Sequence, residues 1–132
     1  MRTVHFKVAV VTAALGLVAS SAVAQGAPEV KVQATRDVST KTVGHTYSGV
    51  PINNLSLSYG VSLAGLDLST SSGANEAAKR VSDAAMAACK EIGRQYRDAT
   101  PSDTECAKAA SDKAMIQVHE MVASAEKARS RG

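Results

Sequence analysis

Two hydrophobic periods divide the chain. From Leu55 to Leu63 apolar and small polar residues alternate, with Leu55, Leu57, Tyr59, Val61 and Leu63 on one side and Ser56, Ser58, Gly60 and Ser62 on the other. A two-residue period is what a strand with one buried face requires. Upstream, Val43 and Tyr47 fit a weaker strand, and Gly49 in "YSGV" supplies a turn. Together they predict a β-hairpin. Residues 25–41 are polar, with a brief alternation at Val30 and Val32. They read as a flexible N-terminal lead-in with room for one short strand.

Beyond "AGLDLSTSSGA" the period becomes helical. Thr70 or Ser72 is placed to cap a helix in which Ala74, Ala77, Val81, Ala84 or Ala85, Ala88 and Ile92 recur on one side. Opposite charges three or four apart (Glu76 with Arg80, Lys79 with Asp83, Glu91 with Arg94) support it, and Gly93 weakens its end. A second helix opens at "ATPSDTEC". Thr100 is the expected N-cap, Pro101 suits the first helical position, and Asp103 stands where a capping-box acid would. Cys106, Ala110, Ala114, Val118, Met121 and Ala125 carry its apolar stripe to about Ala128. Asp103 and Glu105 at its start and Lys127, Arg129 and Arg131 at its end match the helix dipole. The short connector Arg97–Thr100 makes the two helices an antiparallel hairpin. The fold class expected is therefore α+β: a short β-hairpin packed on an antiparallel two-helix hairpin.

The N-terminus changes the charge balance. Arg2 and Lys7 precede an apolar run, Val8 to Val18, and Ala22-Val23-Ala24 is an A-x-A cleavage signature. This is the pattern of a cleaved signal peptide over residues 1–24, and the run is too short for a membrane span. Export to the periplasm or beyond follows, with no stable membrane anchor after cleavage. The chain has 15 Lys and Arg against 12 Asp and Glu, and losing Arg2 and Lys7 brings it near neutrality. No basic excess then points to nucleic acid. The chain has no Trp, and its single Phe, Phe6, leaves with the signal. The core must be built from Ala and Val, and a core that thin commonly needs a covalent staple.

The stretch "LSLSYGVSLAGLDLSTSSGANEAAKRVSDAAMAACKEI", followed by a connector and "CAKAASDKAMIQV", resembles the UrcA family of small exported bacterial proteins. Residues Val61 to Thr70 carry its first element, Gly73 its glycine, Arg80 its basic residue, and Cys89 and Cys106 its cysteines. The resemblance covers about Gly49 to Ala125. It implies an envelope protein of one domain, residues 42–128, with a C-terminal tail at 129–132 and no established catalytic residues.

Cys89 and Cys106 are the only cysteines. They are too far apart for C-x-x-C redox chemistry or close zinc-ligand spacing. One lies near the end of the first helix and one near the start of the second, each on the apolar side. An antiparallel turn could bring their Cα atoms within the roughly 4.4–6.8 Å a disulfide needs. A disulfide in an oxidising compartment is the expected reading, ahead of a reactive or metal-binding pair. Met115 and His119, four apart, share a helix face, and Met86 could approach from the other helix. Thioether plus imidazole is a soft set that suits copper, set against the plainer reading of a seam-packed Met and a solvated His. His45 and His119 have no nucleophile motif nearby, and Asp67 reads as a loop hydrogen-bonder. No catalytic or cofactor-binding set is recognisable, so the chain is read as no enzyme. The expected role is a non-catalytic envelope or stress-associated interaction protein, with an envelope partner or a homodimer. Copper-type metal binding through Met115 and His119 is the alternative.

Overall fold

The alternation at Val30 and Val32 extends further than the valines suggest. In the computed structural model, which describes residues 26–132, strand β1 spans Glu29–Asp37 and buries Val30, Val32, Ala34 and Arg36 in turn. The expected signal peptide lies outside the described residues. Strand β1 pairs antiparallel with β2, Asn54–Ser62, over nine positions from Glu29 opposite Ser62 to Asp37 opposite Asn54. The supposed lead-in is thus half of the sheet and part of the core, and the core extends upstream of residue 42. Ala34 and Arg36 hid it, because one is weakly apolar and the other charged.

The strand expected at Val43 to Tyr47 does not form. Thr40–Val43 is a single helical turn, α1, and His45 makes one isolated bridge to Pro51. The loop doubles back through Ile52 N–H donating to Gly44 O, which leaves no second ladder for this segment. The turn at Gly49 is present: its N–H donates to Thr46 O at φ +80°.

Helix α2, Ser71–Gln95, starts where its cap predicts, with Thr70 Oγ1 accepting from Gly73 N–H at 3.1 Å. Helix α3, Asp103–Arg129, starts from Ser102 rather than Thr100. Thr100 is engaged elsewhere: its backbone N–H and C=O pair with Asp37 at 2.8 and 2.7 Å, extending the edge of β1. Ser102 and Glu105 then form the capping box. The three charge pairs read on α2 all form: Glu76 with Arg80, Lys79 with Asp83 and Glu91 with Arg94.

The α+β class holds, with one sheet on one helix pair. Helix α2 lies against both strands, while α3 lies against β1 and α2. Between the layers are Val30, Val32, Val61 and Leu63 from the sheet side, Ala77, Val81, Ala85, Ala88 and Ile92 from α2, and Ala110, Ala114 and Val118 from α3. The alanine seam lets the helices approach closely, so dispersion contacts compensate for small side chains. Among the described residues no helix is long and apolar enough to cross a membrane.

Candidate functional site

The residues expected to carry chemistry are first accounted for by structure. Cys89 and Cys106 are disulfide-bonded, with Cα atoms 5.9 Å apart, and join the end of α2 to the start of α3. Beside them Arg36 reaches in from β1, only 5% exposed. Its Nη1 donates to Cys89 O at 3.1 Å and to Asp103 Oδ1 at 2.5 Å, and its Nη2 donates to Ala99 O at 2.5 Å. A buried charge is tolerable when paired and hydrogen-bonded in this way. One guanidinium therefore ties β1 to α2, the connector and α3. Gly93 leaves the space for it, since a Cβ there would stand 2.6 Å from both Arg36 Nη1 and Asp103 Oδ1. The alternation reached Arg36 in its buried phase, which was the signal that could have found it.

Asp67 is a loop organiser. Its carboxylate accepts from Ser69 N–H at 3.0 Å and Ser69 Oγ at 2.6 Å, and the hydroxyl bond foremost holds its pKa below the usual aspartate value. Its carbonyl accepts from Thr70 Oγ1, and Gly73 packs directly on that carbonyl. His45 is exposed in the loop.

Of the copper donors, Met115 and His119 stand one turn apart on α3, and Met86 is not gathered with them. His119 is exposed, and Met115 and Met86 are half-buried against the core. Ser82 and Ser111 hydroxyls, 3.2 Å apart, mark where the two helices are level. Met86 lies one turn onward along α2 and Met115 one turn onward along α3. The helices are antiparallel, so the two thioethers diverge by about 11 Å along the seam. No group of three or more His, Cys, Asp or Glu able to hold a metal occurs among the described residues.

What remains is the rim of the sheet, and its two edges differ. In this register the even residues of β1 and the odd residues of β2 bond to each other. The odd residues of β1 and the even residues of β2 therefore direct their N–H and C=O groups outward. The β1 edge is covered. Gln117 acts as a surrogate strand, accepting from Lys31 N–H at 3.1 Å and donating to Lys31 O at 3.0 Å, and Thr100 closes the other end on Asp37. Between them a cleft of about 270 Å³ runs over Gln33, Ala110, Lys113 and Ala114. Its volume is at the lower limit of small-molecule sites.

Among the described residues the β2 edge has no such cover. Arg80 Nη1 occupies Ser62 O at 3.1 Å, and Ser56, Ser58 and Gly60 present their backbone groups to solvent. The strand, "NLSLSYGVS", has no charge and no proline. Below it Leu55 and Leu57 are half-buried and Tyr59 is 38% exposed, because α2 covers only part of the strand. Shallow depressions of about 190 and 360 Å³ separate them from Glu91, Ile92 and Tyr96 and from Asp83, Met86, Lys90 and Arg94. A long, uncharged edge with apolar flanks is a template for another strand. No protein-family model, curated protein or solved structure matches this chain.

Proposed function

We propose that this is an exported, UrcA-type envelope protein that acts by binding another polypeptide rather than by catalysis. The single observation that carries the reading is the β2 edge, bare among the described residues, with Ser56, Ser58 and Gly60 offering backbone donors and acceptors above half-buried Leu55 and Leu57 and exposed Tyr59. Soluble proteins usually block such an edge with lysine, proline or a covering segment. Here β1 is blocked and β2 is not. The closed disulfide supports an oxidising compartment, and the basic start, apolar run and A-x-A site support export.

Expression of the full chain in a bacterial host checks the export half. The mature protein should appear in the periplasmic extract beginning at Gln25, and alkylation without reductant should add no mass. Two added labels, or an uncleaved cytoplasmic product, would count against it. Light scattering and envelope crosslinking check the interaction half, where a strictly monomeric, partnerless protein would count against binding.

A further inference from the structure

We infer that the occupant of the β2 edge is a second copy of β2, paired antiparallel about a two-fold axis through Ser58. The inference rests on the interaction reading and names its partner. A two-fold pairing requires an edge complementary to its own reverse. Full overlap of Asn54–Ser62 places Ser58 opposite Ser58 of the second copy, Tyr59 opposite its Leu57, and Leu55 opposite its Val61. The apolar positions 55, 57, 59 and 61 are symmetric about Ser58, so every apolar residue meets an apolar one. The other face pairs Ser56 with Gly60, and β2 itself contributes no charge there, the carboxylate over Gly60 being Glu29 of β1. Self-pairing brings residues nearest the axis against their own copies, and like charges directly opposite are destabilising. The β1 strand, with Glu29, Lys31, Arg36 and Asp37, lacks this neutrality.

The helix beneath has matching charge. Helix α2 runs antiparallel to β2: Arg80 reaches Ser62, while Glu91, Gln95 and Tyr96 lie by Leu55 and Leu57. The two-fold reverses it, so Asp83 near one end faces the region of Arg94 in the second copy. Because α2 lies under both strands, adding β2 of the second copy sets the two α2 helices about two strand spacings apart, roughly 10 Å, the distance of packed helices. The product is a continuous four-stranded sheet. Its reach, β2 plus one rim of α2, falls toward the small end of stable interfaces, roughly 1,000 Å² in total, so the dimer is reversible.

Sedimentation of the disulfide-intact mature chain from about 5 to 500 μM tests this, and should show mass rising from monomer to dimer. Ser58→Lys sets two ammonium groups against each other on the axis. It should weaken dimerisation at least 10-fold while leaving the melting curve of the dilute, monomeric chain unchanged, because the Ser58 side chain is exposed. Mixing Ser58→Lys with Ser58→Glu should restore dimers, a rescue available only where residue 58 faces residue 58. Ile116→Lys, at the 61% exposed position on α3, should leave dimerisation intact. A wild-type chain monomeric throughout, or a dimer indifferent to Ser58→Lys, overturns self-pairing. If a monomeric chain still crosslinks to an envelope polypeptide and Ser58→Lys abolishes that, self-pairing falls and the binding reading stands. If neither occurs, both fall.

Discussion

Two glycines of α2 are held by contacts that their sequence positions do not show. Gly93, inside the last turn, looks like a simple weakness, and replacing it with alanine should gain about 1 kcal/mol of helix propensity. The structure reverses that sign. A Cβ would press on Arg36 Nη1 and Asp103 Oδ1, disturbing a buried guanidinium held by three acceptors. Gly93→Ala should therefore cost a net ~1–2 kcal/mol in urea unfolding, since a displaced charge-assisted bond outweighs propensity. Gly73→Ala should cost more, about 2–3 kcal/mol, because its neighbour is the Asp67 backbone carbonyl, which cannot swing aside as a side chain can. The sequence showed Gly73 as part of a motif and Gly93 as a blemish. It could not show either contact, because the partners are distant in sequence or fixed by loop geometry.

At the scale of elements, helices were more legible than strands. The apolar stripes of α2 and α3 and the Thr70 cap survive intact, because helical period and capping are local. The β1–β2 pairing is not local, and its first strand disguises two of four buried positions as Ala34 and Arg36. The α3 cap moved from Thr100 to Ser102 for the same reason, since Thr100 is spent on Asp37 across the fold. Thr70→Ala should cost about 1 kcal/mol in urea unfolding. Ser102→Ala adds a pH signature. The Ser102 hydroxyl foremost, and its N–H, hold Glu105 below its ordinary pKa. A folded-state pKa lowered in this way gives stability that is present above the unfolded glutamate value, about 4.3, and is lost as pH falls through the folded one. Wild type should thus exceed Ser102→Ala near neutrality. The Glu105 part of that gap should close as pH falls below about 4.3. A gap that stays constant with pH would show that Glu105 does not contribute.

At the scale of the molecule, the described residues form two layers whose largest fully buried side chain is Leu63, so covalent help matters. The cysteines stand 17 apart, and their bond removes about 3 kcal/mol of unfolded-state freedom in the chain-entropy model. A Cys89→Ser, Cys106→Ser double variant should lose about that much in urea unfolding. The need for a staple could be read from the poverty of large apolar residues. The difference between the two sheet edges could not, because it depends on Gln117 and Thr100 reaching β1. The position of the bond has a further consequence. It fastens the helix pair at one end only, like the joined base of a tuning fork. At the far end Arg129 donates to Ser69 O, and Met121, Val122 and Ala125 are half-buried. Amide hydrogen exchange should therefore be graded along α3, slowest beside Cys106 and fastest near Arg129, with reduction of the bond levelling the slope from its slow end.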